Sequence, residues 1–170
     1  MPETFKRETK YGLTVLTTTD EGLLDYLNQV VQQVQTWLMG GDVQRLVVVV
    51  TGADSGDTLE RWQFNVTVEG ELAGENQNPN NGPEKTSDKS EKEIHNEIQA
   101  IIRQITASVT FLPLLNEPCT FDLLVYTNKD AAVPTKWADS DPCYIMNSQQ
   151  VKLRSFTTKV RLIMTIPYYL

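Results

Sequence analysis

At 170 residues, 40% of them hydrophobic and 22% charged, the chain has the size and balance of one domain with its own core. A formal net charge of −7 argues against a partner as acidic as nucleic acid, because grip on a phosphate backbone needs a basic face. Polar Met1–Lys10 lacks a signal-peptide core, and the longest apolar run, Leu46–Val50, is far shorter than a membrane span, so no membrane partner is expected.

Tyr11–Thr18 alternates loosely and predicts a first short strand. Thr18 with Glu21 resembles a capping box, and Leu23, Leu24, Leu27, Val30, Val31, Val34, Trp37 and Leu38 follow at helical spacing until Gly40-Gly41. Val43–Thr51 is a β-branched run that predicts a strand buried on both faces. Turn residues 53–57 lead to a returning strand, Glu60–Val68, with Trp62, Phe64, Val66 and Val68 on one side and Arg61, Gln63, Asn65 and Thr67 on the other. Residues 70–89 carry almost no large apolar groups and are expected to form a flexible loop. Ser90 and Glu93 make a second capping box before a long helix striped by Ile94, Ile98, Ile101, Ile102, Ile105 and Val109, which Pro113 is expected to end. Thr120–Thr127 predicts another strand, and strand-like pieces return over Val151–Ile166 after a turn-rich stretch. Helices beside antiparallel strands, without alternating βαβ units, predict an α+β domain.

Catalytic patterns are missing. His95, the only histidine, follows core-facing Ile94 on the second helix and is expected at the surface. Cys119 and Cys143 lie in no catalytic or metal-binding signature and imply reduced thiols. No glycine-rich phosphate loop follows a strand, and Asn65-Val66-Thr67, a glycosylation sequon by pattern, is read as chance without a secretory signal. No enzyme activity, no catalytic residue, no metal and no cofactor is expected.

Several blocks, in order along Tyr11–Thr158, carry a resemblance. They are Tyr11-Gly12-Leu13-Thr14, Leu59-Glu60-Arg61-Trp62-Gln63-Phe64, Ile102–Ala107 continuing through Val109–Pro113, Phe121–Thr127, and Val151 with Leu153–Thr158. Together they resemble the HORMA-domain proteins of the spindle assembly checkpoint, the mitotic arrest-deficient two family. Other HORMA proteins, the accessory subunit of translesion polymerase zeta and the meiotic axis proteins, fit these blocks less well and stand as the alternative.

The resemblance implies a HORMA fold: an antiparallel sheet with helices on one face, a β-hairpin and a mobile C-terminal safety belt. It implies a checkpoint adaptor that captures an extended partner segment by adding it as a strand, and so delays anaphase. Phe121, Leu123, Leu124, Val125, Tyr126 and Thr127 would be the accepting edge, although Phe121, Leu123 and Val125 can equally be read as core. Residues 128–170 would be the belt, with Trp137, Leu153 and Phe156 along it. Arg103, Gln104 and Phe111 match positions through which family members dimerise; their bland readings are a solvated helix face for the first two and burial beside Pro113 for the third. Trp37 and Trp62 are core or pocket-lining candidates.

The implied partners are a kinetochore coiled-coil anchor, the activator subunit of the anaphase-promoting complex, a second copy, and the HORMA-remodelling ATPase with its adaptor. Nucleus, kinetochore and cytoplasm are the implied locations. Two departures from the family pattern carry expectations of their own. Met1-Pro2-Glu3-Thr4-Phe5 begins where a long leading helix would have ended, so the single domain over 1–170 is expected to be incomplete at its N-terminus. Lys159–Leu170 diverges from the usual terminal belt strands and reads like translation into an intron; weaker belt locking and reduced peptide affinity would follow.

Overall fold

The computed structural model describes residues 4–68, 90–146, 148–151, 153, 156–157 and 160–169. The expected loop over 70–89 lies outside them.

After β1 (Phe5–Lys10) and β2 (Leu13–Thr18), the β-branched run forms strand β3 (Val43–Gly52), the spine of the main sheet. It pairs antiparallel with β4 (Thr58–Val68) on one side and with β5 (Cys119–Thr127) on the other. Residues 160–169, set apart by sequence from the family pattern, are rich in β-branched and aromatic groups and form β8 (Val160–Tyr169) on the outer side of β4. Two short strands, β6 (Gln149–Gln150) and β7 (Phe156–Thr157), both pair with β8. The order β5-β3-β4-β8-β6 therefore leaves β5 at the margin of the sheet.

Helix α1 (Glu21–Met39) covers one face. Its N-cap is Asp20, whose carboxylate accepts from the Leu23 amide at 2.8 Å, and not Thr18. Thr18 instead accepts the Asp20 amide at 3.1 Å, one step outside the helix. Near the other end Trp37 packs with Val43 and Val66, and Leu38, Leu46, Val125 and Trp137 surround them. Each such side chain, fully buried, contributes about 1.5–3 kcal/mol.

Helix α2 (Glu91–Ser108) has both halves of its predicted capping box. It stops before Pro113: the Thr110 and Phe111 amides turn back onto the Ala107 and Ser108 carbonyls at 3.2 and 3.0 Å, so tight turns end it first. Residues Phe5–Lys10, unassigned by sequence, form β1 and pair with β2 (Leu13–Thr18) as a separate hairpin. Tyr11 and Gly12 turn it with φ of 50° and 68°, as a tight two-residue hairpin loop requires. Gln99 on α2 donates to the Tyr11 carbonyl at 2.7 Å, and exposed His95 meets the Tyr11 ring edge-on at 5.0 Å.

The turn between β3 and β4 is tied to the approach to β5. Glu117 accepts from the Asp54 and Ser55 amides at 2.9 and 3.0 Å and from the Ser55 hydroxyl at 2.8 Å. These donors hold its carboxyl below the ordinary value of 4.5.

Candidate functional site

The residues of β5 alternate between two surroundings. Phe121, Leu123 and Val125 face α1, where Phe121 meets Tyr26 edge-on and Val125 joins the Trp37 core. Asp122, Leu124 and Tyr126 share the other face with Val49, Val47 and Arg45 of β3, their register partners. Both readings of these side chains hold together, since the main chain of the strand pairs on one side only: no strand lies on its outer edge among the described residues. An unpaired edge of this length is a ready template for a further strand.

The chain after β5 curls around that edge. Asn128 anchors the departure, its amide donating to the Asp42 carbonyl at 2.9 Å and its side chain accepting from Gln44 at 2.7 Å. On the α1 side the Trp37 indole donates to the Ala132 carbonyl at 2.9 Å, and Trp137 packs edge-on against the Trp37 ring at 4.9 Å. Residues 138–141 then pass the margin of β5, exposed. On the opposite face the Arg61 guanidinium donates to the Pro142 carbonyl at 3.1 Å and lies 4.9 Å from the Tyr144 ring centre. The segment thus touches both faces of the sheet and straddles the edge between them.

Between the segment and the edge runs a groove of about 920 Å³, lined by residues 122–127 of β5 and by Tyr26, Trp37, Val133 and residues 137–140. A second hollow of about 550 Å³ continues it toward α1, past Tyr26, Gln29 and Gln33, and shares Leu123, Trp137 and Ala138 with it. The arrangement offers a strand-shaped slot with unpaired main chain on one wall.

The face under residues 142–144 is one that sequence reading left without a role. By alternation Arg61, Gln63 and Asn65 do share it, but Arg61 is 0% exposed and Gln63 is buried, whereas Trp62 and Phe64 on the α1 face are only half-buried. Arg61 donates to Gln63 at 2.8 Å, Gln63 to Asn65 at 2.9 Å, and Arg45 to Asn65 at 3.1 Å. The Tyr126 hydroxyl lies 3.5 Å from Arg61, and the Arg45 guanidinium stands 5.2 Å from the Tyr126 ring centre. Long polar residues at alternate positions of one strand were the available signal.

Of the other sequence candidates, Trp37 is buried and also lines the groove, while half-buried Trp62 donates its indole N–H to Glu60 at 2.9 Å. Leu153 is half-buried, and Phe156 lies on β7 with its side chain outside what is described. Arg103 is exposed and Gln104 half-buried on α2. Phe111 is 54% exposed, which overturns the alternative that it packs into the core beside Pro113: it follows the last turn of α2, where the chain has left the helix. Among the described residues no group of His, Cys, Asp or Glu could hold a metal ion, and no helix is long and apolar enough to cross a membrane.

Comparison with known proteins decides the family. The HORMA domain profile matches residues 2–161. The chain belongs to the HORMA-domain family. Within it, the chain is 56% identical over 170 residues to the mitotic spindle assembly checkpoint protein MAD2A of Dictyostelium discoideum, covering 99% of this chain and 78% of that one. To the Homo sapiens protein of the same name it is 50% identical over 167 residues, covering 98% and 78%. A chain in the crystal structure of the mitotic checkpoint complex superposes with a TM-score of 0.83 at 42% identity, over 99% of this chain and 84% of that one. Among HORMA proteins this chain is therefore a spindle assembly checkpoint adaptor and not an enzyme, and the polymerase-zeta and meiotic-axis alternatives give way.

Proposed function

We propose that this HORMA protein holds an extended segment of a checkpoint partner as an added strand on the outer edge of β5, with residues 128–170 as the belt that encloses it, and thereby delays anaphase. One observation carries the reading: the unpaired margin of β5 and the segment that straddles it leave a slot between them long enough for a strand. Main-chain pairing would give affinity whatever the sequence. Side chains at alternate positions would be read by Tyr26, Leu123 and Trp137 on one side and by Leu124 and Tyr126 on the other.

The partners that fit are a coiled-coil anchor at the kinetochore and the activator subunit of the anaphase-promoting complex, each supplying a segment to the slot. A second copy would dock through Arg103, Gln104 and Phe111; the exposure of Arg103 and Phe111 supports a surface role for them. A HORMA-remodelling ATPase with its adaptor would reopen the belt. The protein would then act in the nucleus, in the cytoplasm and at kinetochores.

The test is isothermal titration of the chain with synthetic peptides tiling the anchor and the activator, followed by backbone amide exchange of the complex. A binding tile that adds protection across residues 121–127 is the expected result. Binding that leaves those amides unchanged, or no binding by any tile, overturns the reading.

A further inference from the structure

The belt crosses onto the polar face of the sheet and meets a buried cation there. We propose that Arg61 is the fastener of the belt, a positioning residue that joins the belt to the partner-accepting strand through one guanidinium; this rests on the function proposed above.

The geometry separates Arg61 from an ordinary core residue. A guanidinium fully removed from water needs directional partners, because an unpaired buried charge is strongly destabilising. Two of its contacts lie on the belt: the Pro142 carbonyl and the Tyr144 ring. A third is the hydroxyl of Tyr126, whose main chain belongs to the accepting edge and which also lines the groove. The fourth, Gln63, fixes the plane of the fork and continues through Asn65 to Arg45, which in turn flanks the Tyr126 ring. Arg61 thus joins the belt on this face to β5.

Planarity matters here. An Arg side chain can place a ring on its flat side while its N–H groups donate in the plane, and a lysine ammonium cannot do both. Tyr144 is 63% exposed, so the ring covers the guanidinium from outside and contributes little to the core beneath. The Tyr144 side of the fastener is therefore open to solvent, and polar groups freed there can be satisfied by water, while Trp137 and Ala132 keep separate contacts to Trp37.

Amide exchange read by mass spectrometry on the full chain tests this, with fragments across 131–146 compared with fragments across 45–65. Arg61→Lys and, as a variant that leaves the buried face intact, Tyr144→Leu should each speed exchange in 131–146 by about ten- to a hundredfold. The sheet fragments should move much less. The tile that binds the unaltered chain most tightly should leave each variant about tenfold faster, most affinity change being in the off-rate. Uniform acceleration in both regions, or unchanged exchange in 131–146 for Tyr144→Leu, overturns the assignment. Failure of the unaltered chain to bind any tile counts against the proposed function alone, since the exchange comparison stands without a ligand.

Discussion

The two faces of the main sheet are both buried, but by different physics. Under α1 the contacts are apolar and non-directional, with Trp37, Val43 and Val66 at the centre. Under the belt, Val47 and Val49 lie at the floor and Ile145 of the belt is buried. Beside them a hydrogen-bonded set runs from Arg61 through Gln63 and Asn65 to Arg45, with Tyr126 beside Arg61, and Arg61 meets the incoming chain. Apolar burial is lost in proportion to the area exposed, so opening the α1 side is expensive throughout. A polar set exchanges protein partners for water at a modest net difference, provided that it opens completely. On the proposed function, such a sheet would keep its helix while a strap held in part by polar contacts opened and closed.

Substitutions at both faces can break this comparison. Trp37→Ala should have the largest effect, about 3–5 kcal/mol of stability by thermal or urea unfolding, because it empties the core and also frees the Ala132 carbonyl. If only the belt loosened and global unfolding did not move, the apolar face would not be the permanent one. Asn65→Ala on the polar face removes the acceptor shared by Arg45 and Gln63 and should cost about 1–3 kcal/mol, with faster exchange in 131–146 than in α1. Ser90→Ala sharpens the reading as a control that touches neither face. Loss of the α2 cap should lower stability by about 1 kcal/mol in the same melt and leave belt exchange unaltered relative to the sheet.

The smallest expected effect is electrostatic. Glu117 has a folded-state carboxyl below 4.5, so its contribution is present in full above that value and fades as pH falls through the lowered one. Exchange of the Asp54 and Ser55 amides, corrected for the intrinsic pH dependence of exchange, should quicken below pH 4.5 in the native chain. In Glu117→Gln it should lack that acid step.

Much of the scaffold was legible because its determinants are local. The β-branched Val43–Thr51 run, the Ser90–Glu93 box and the apolar stripe of the second helix each sit within a few residues of the structure they specify. Where local signals competed, reading failed by small steps: Asp20 outcompeted Thr18 as the cap, and tight turns after Ser108 ended α2 before Pro113 could. Phe5–Lys10 was missed as a strand because Lys6, Arg7, Glu8 and Lys10 mask its alternation. The course of the belt was illegible for a different reason. Its turn-rich composition says only that it is not a regular element, and the contacts that route it join Trp37 to Ala132 and Arg61 to Pro142, 95 and 81 residues apart. The edge proposed to accept a partner was named from resemblance; the residues alone permitted core or edge.

The course of the chain after Thr127 has a mechanical corollary. Pinned at Asn128, again at Trp37 and Arg61, and finally joined to β8 through Gln149 and Gln150, it makes a buckled hoop around one margin of the sheet. On the proposed function, a segment held in the hoop would be kept from slipping out sideways. A partner whose segment lay mid-chain, with bulky folded parts on either side, would then be trapped as a bead is on a knotted string until the buckle was undone.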